Sequence, residues 1–363
     1  MRKNVKQQLA LRVLSTAALM AMVSSIATAA FAAEYNVKDG SVEIVAKDGI
    51  QSITQRDDTG AFVKDEKGDI DHRQDDDIIL TTKNKDTGET ETTSNTVTID
   101  AKDGNTANVT LQDVHIETES SWNNSGNGDT NLELNGDNTV LSGDRYHAAI
   151  EKADKNGTGT LTIKDDKNDD GSVKDKDENG NAVGKDTGKL LAGGYGDGAG
   201  IGGGSSSNDL ADTSNITIKG GEITARGGYE DGAGIGGGTY GKAKNIRIEG
   251  NAHVTASGDG GAGIGGGLQG NDVTITGNAV VNAYSEYGSA IGDGRPWGGG
   301  DTTITISGNA TVHAEGKNGT TAIGSSQNGH QGNLTITIAE NANVTAIGSV
   351  IAPAIGNAYS SGD

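Results

Sequence analysis

The heptapeptide GAGIGGG occurs at 198–204, 232–238 and 261–267, and weaker copies follow as SAIGDG (289–294), TAIGSS (321–326) and PAIGNA (353–358). Counted on the central isoleucine, the series runs Ile201, Ile235, Ile264, Ile291, Ile323 and Ile355, with steps of 34, 29, 27, 32 and 32 residues. A recurrence of this length marks a repeat architecture, in which each unit buries its apolar edge against its neighbours.

Between the glycine motifs lie two short alternating runs. Ile216-Thr-Ile218 is followed by GGEITA, Ile246-Arg-Ile248 by GNAHVTA, Val273-Thr-Ile275 by GNAVVNA, Ile304-Thr-Ile306 by GNATVHA and Ile336-Thr-Ile338 by ENANVTA. Alternation with β-branched residues predicts strands with one buried face. Ile216, Ile246, Val273, Ile304 and Ile336 then form one inward column, Ile223, Val254, Val281, Val312 and Val344 a second, and Ala225, Ala256, Ala283, Ala314 and Ala346 a third. No helical period follows the leader, and like residues recur at one repeat's spacing rather than at the mirrored positions of hairpins. The expectation is an all-β, right-handed, single-stranded parallel β-helix of about 7–10 coils with three strands per coil. Neighbouring coils would stack about 4.8 Å apart.

The pattern extends backwards. Leu132-Glu-Leu134, NTVLSG and His147-Ala-Ala-Ile150 make a coil without the glycine tail; Leu161-Thr-Ile163 opens the next, and its second strand is GKLLA at 188–192. An acidic insertion at 164–187 separates these two strands. Subtracting its 24 residues from the 51 between Ile150 and Ile201 leaves 27, back on the period. Seven coils are legible from 132 to 356, within a repeat domain spanning 132–363. Residues 33–131 read as N-terminal capping strands, an acidic hairpin or loop at 57–78 and the first irregular coils. There Val109 and Leu111 are assigned to the ITI column, and 119–129 (ESSWNNSGNGD) reads as a loop.

Residues 1–32 combine Arg2, Lys3, Lys6 and Arg12 with an apolar stretch ending Ala30-Phe31-Ala32, the pattern of a secretory signal peptide. The apolar run is too short and too interrupted for a membrane span. Its removal takes away four positive charges and moves the net charge from −21 to −25. That argues against nucleic acid and anionic membrane as partners. With no cysteine, an exported chain depends on ladder packing rather than disulfides. Hydrophobic content of 32% and aromatic content of 3% suit a thin solenoid better than a globule. The chain is expected to be secreted, extracellular or at the cell surface. Further C-terminal domains or a partner are expected to cover its last edge.

Two sets of residues suggest binding. Asp166, Asn168, Asp170 and Asp177, with Gly171, carry the twelve-residue spacing that wraps a calcium ion; an overlapping frame runs from Asp175 to Asp186 through Asn179. A solvated, turn-rich hairpin accounts for the same residues. Tyr195 and Tyr229 each lie six residues before their motif isoleucine, and Tyr240, Tyr284, Tyr287, Trp297 and Tyr146 are expected near the same corner. Half-wet aromatic faces at solenoid spacing suit stacking on sugar rings, whereas the competing account makes them lids over glycine gaps. Asp197, Asp231 and Asp259 read as Asp-Gly corners, and His253 and His313 as surface ladder members. No Ser/His/Asp or Cys/His set is apparent. The cations Arg145, Arg226, Arg247 and Arg295 do not fall with acids in one column, which weakens a polysaccharide-lyase reading.

The GAGIGGG…ITI-x-GG-x-x-TA-x-GG unit resembles repeats of large secreted surface proteins of anaerobic Firmicutes. More loosely, it is similar to the clostridial carbohydrate-binding β-helix family, which binds plant cell-wall polysaccharides and calcium. The likeness covers about 34–358, including the lead-in YNVKDGSVEIVAKDG, TVTIDAKDG and NVTLQDV. It implies a non-enzymatic module that binds a polysaccharide or cell-surface glycan, or adheres through one, with calcium as a candidate cofactor. The alternatives are a passive structural stalk and a calcium-dependent polysaccharide lyase.

Overall fold

The computed structural model describes residues 33–358, apart from 120–121, 169–171, 179, 185, 268–270, 295–299 and 327–331. The expected signal peptide, Asp170, Asn179, Arg295 and Trp297 lie outside the described residues. The alternating runs become strands of three sheets, with ten, eight and twelve strands. In the repeats the first sheet takes strands such as Ala243–Ile248, the second takes strands such as His253–Gly258, and the third takes short strands such as Ile264–Gly265. Each pairs in parallel with its counterpart one coil away, so Ile246 lies beside Val273, Val254 beside Val281 and Ile264 beside Ile291. Eight complete coils are present among the described residues, from 106–125 (coil 1) to 334–357 (coil 8).

The interior is a set of single-file columns. Ile150, Ile201, Ile235, Ile264, Ile291 and Ile323 stack along the third sheet and are all fully buried. Each coil is too thin to shield an aliphatic group alone, so burial comes from the rungs on either side.

Two expectations need correction. Val109 and Leu132 pair into the column of Ile163 and Ile218; Ala107 and Thr130 hold the place opposite Leu161 and Ile216. The early strands run two residues further along the sheet, a shift that preserves the inward face because strand periodicity is two. The segment 119–129 is not simply a loop either. Trp122–Ser125 is a strand of the third sheet, with Trp122 beside Ile150 and fully buried.

The first rungs are closed by antiparallel structure. Ser41–Lys47 pairs in parallel with Val97–Ala101 but antiparallel with Ile50–Arg56. Gln51 then imitates a missing ladder residue: its Oε1 accepts from Asn108 N (2.6 Å) and its Nε2 donates to Asn108 O (3.0 Å). Buried backbone groups need such partners wherever a ladder ends.

An asparagine ladder runs along the turn between the first and second sheets. Asn341 donates to Asn309, Asn309 to Asn278 and Asn278 to Asn251, at 3.1, 3.2 and 3.1 Å. Asn251 in turn donates to the carbonyl of Ala182 (3.1 Å), tying the 164–187 insertion to the coil stack.

Candidate functional site

The third edge is where the repeats concentrate glycine, and the geometry explains why. Gly202, Gly236, Gly265, Gly292, Gly324 and Gly356 form one column with φ between 125° and 139°. A Cβ on Gly236 would lie 1.7 Å from the carbonyl oxygen of Gly265 in the next coil. Both the backbone conformation and the close approach demand glycine. The edge is therefore a tight arc, closed within each coil by bonds such as Ala233 N to Gly237 O (3.0 Å), and it brings flanking side chains together.

On one flank, Tyr195 and Tyr229 occupy successive coils with ring centroids 5.1 Å apart and planes at 76°. They are 46% and 53% exposed, so the pair is an accessible aromatic surface rather than a filled corner. Partial desolvation and the neighbouring Tyr195 raise the pKa of the Tyr229 hydroxyl. Arg145 reaches across from coil 2, donating to Glu230 (2.6 Å) and to Asp197 (3.4 Å). Asp197, then Glu230, hold its pKa above the ordinary value. The expectation that coil arginines stand apart from acids thus fails for Arg145, because its side chain crosses rungs that are 52 and 85 residues away in sequence.

The other aromatic candidates disperse. Tyr287 is exposed on the same flank, and its N–H donates to Asp259 O (2.8 Å). Tyr284 lies on the second sheet, between Ser257 and Glu315, with its ring 6.0 Å from that of His313. Tyr240 follows the glycine arc instead of preceding it, at φ 61°, and Tyr146 is exposed in coil 2. Asp197 is a buried corner residue, accepting from the Thr239 hydroxyl at 3.1 Å.

The insertion forms two consecutive turns, not one loop. Lys167 bridges Val173 antiparallel, and Asp175–Lys176 then pairs with Ala182–Val183. Asp166 and Asn168 belong to the first turn, where Lys164 donates to Asp166 (3.1 Å) and Asn168 donates to Ser172 (3.0 Å). Asp177 begins the second, accepting from the Asn181 N–H (2.9 Å). The twelve-residue calcium spacing is therefore divided between two hairpins. Among the described residues, no three His, Asp or Glu side chains form a group that could hold a metal.

Sequence reading missed a His–carboxylate pair on the other flank of the arc. His147 Nδ1 lies 2.7 Å from Glu151 Oε2, and Asn156 Nδ2 donates to Glu151 Oε1 (3.2 Å). Glu151 is buried, and its hydrogen bond raises the pKa of His147. The four-residue spacing was visible, but nothing in the sequence announces that it curls into a pair at a coil edge.

A family model described as a beta helix repeat matches residues 216–239 and 246–268. With the parallel registers above, that settles the architecture. The chain is a parallel β-helix. No curated protein and no solved structure matches it. Such repeats occur in enzymes and non-enzymes alike, so the match carries the fold of this β-helix and not an activity. No helix among the described residues is long and apolar enough to cross a membrane.

Proposed function

We propose that this β-helix is an extracellular, non-enzymatic module that binds polysaccharide or cell-surface glycan through the Tyr195–Tyr229 flank. The observation that carries the reading is the pair itself: two half-exposed rings on adjacent rungs, beside an arginine held by two carboxylates. Tyrosine presents an apolar face for sugar C–H groups and a hydroxyl for water or ligand, at little cost in side-chain freedom. The resemblance to secreted Firmicutes surface repeats and to clostridial carbohydrate-binding β-helices supports the same reading. The uninterrupted coil stack also suits a stalk, and the two readings diverge on Tyr195→Ala/Tyr229→Ala. Retention of the mature protein on cellulose and pectin matrices should fall at least tenfold in the double variant while its unfolding midpoint hardly moves. Equal retention of both proteins overturns the tyrosine flank as the binding surface, and retention of neither on any polysaccharide tried leaves the stalk reading in front.

A further inference from the structure

Coils 1 and 2 break the glycine rule at the arc, with Asn123 and Glu151 in the place that glycine takes in the later coils. Coils 3 to 6 hold Gly198 and Gly202, Gly232 and Gly236, Gly261 and Gly265, and Gly288 and Gly292 at the places three before and one after the motif isoleucine. Coil 2 puts His147 and Glu151 there instead, the latter in register with Gly202. Departures from an otherwise repeated local rule concentrate at functional positions.

The departure is built, not merely tolerated. Glu151 is 1% exposed, with one carboxylate oxygen on His147 and the other on Asn156. A Cβ on Gly204 of the following coil would lie 2.5 Å from Tyr146 O and 2.9 Å from Glu151 Oε2, so the backbone of coil 2 as well as the carboxylate takes up that space. A buried acceptor at Nδ1 fixes the imidazole and leaves Nε2 for a ligand. The ring borders a cleft of about 550 Å3 that Asn123, Lys155, Asn156 and Ser207 also line. The cleft is broadly open to solvent, so it offers room for one edge of a small ligand rather than an enclosing pocket.

Each ionisable group of the cleft already has a partner: Glu151 faces His147, and Lys155 lies 3.6 Å from Asp209. What remains is a mixture of amide and hydroxyl donors and acceptors, which matches vicinal sugar hydroxyls. We propose that the cleft is a carbohydrate subsite taking the hydroxyl edge of one neutral sugar unit, with His147 Nε2 as its central polar contact. The proposal shares the glycan-binding reading above but uses a different surface from the tyrosine pair.

Histidine-resolved NMR of the mature protein tests it, using cellohexaose, xylohexaose, mannohexaose and N-acetylchitohexaose, with hexagalacturonate as the acidic control. At least one neutral oligosaccharide should shift the His147 ring signals saturably. His147→Gln and, as a rim variant that leaves Glu151 paired, Lys155→Ala should weaken the titration tenfold and threefold. Tyr195→Ala/Tyr229→Ala should leave the His147 response in place. Silence of His147 with all four neutral sugars overturns the subsite, as does a response to hexagalacturonate alone. Matrix retention with a silent His147 overturns only the subsite, whereas a His147 response without retention overturns only the tyrosine reading.

Discussion

The glycine arc of coils 4 to 7 and the equivalent edge of coils 1 and 2 solve the same packing problem in opposite ways. In the later coils the column Gly236, Gly265, Gly292 and Gly324 keeps positive φ, and backbone touches backbone from rung to rung. In the early coils Asn123 and Glu151 stand in that column, outside the positive-φ set, and Trp122 replaces isoleucine in the adjoining stack. The comparison teaches that the bare edge maximises rung contact and leaves no room for chemistry there. Where the chain abandons it, side chains enter and a His–Glu pair becomes possible.

Breaking each half should give different losses. Trp122→Ala should cost about 3–5 kcal/mol in chemical denaturation, since it removes the largest fully buried side chain among the described residues. Gly265→Ala should cost roughly 3 kcal/mol or more, because its Cβ would sit 1.9 Å from Gly292 O at φ 139°. Alanine at Ile264, fully buried, should cost about 2–5 kcal/mol, whereas alanine at the exposed Ile355 of coil 8 should cost under about 1 kcal/mol. Near-equal losses at those two isoleucines would contradict burial by neighbouring rungs.

The smallest effect sharpens the early edge. Because Glu151 raises the folded-state pKa of His147, the pair's stabilisation is fully present below the unfolded histidine pKa and lost as pH rises through the folded value. Glu151→Gln should lower the His147 pKa measured by NMR. It should also flatten the decline in stability that wild type shows between those two pKa values. An unchanged titration curve would mean that the hydrogen bond does not govern the imidazole.

Much of this was legible because a solenoid writes its core as repeated columns. The ITI and V-x-A strands follow from alternation, and the isoleucine file from period alone. Trp122 was hidden because its neighbours are Ser, Asn and Gly, which signal a loop, while only the rungs above and below make Trp122–Ser125 a strand. The insertion carries two meanings for a related reason: Asp, Asn and Gly at calcium spacing are also what two tight turns require. The recurring GNA tripeptides carried the asparagine ladder, although a single sequence does not say whether such side chains point along the stack.

By itself, then, the sequence determined the coil, its period and its inward faces, because those depend on residue type at fixed intervals. Tertiary structure alone decided which outward groups meet: Tyr195 with Tyr229, Arg145 with Glu230 across two rungs, and His147 with Glu151 where the arc departs from glycine. The physical reason is range. Strand burial is set by neighbours two residues away, whereas contacts along the solenoid axis join residues a whole coil apart, and insertions and two-residue register shifts decide which ones they are.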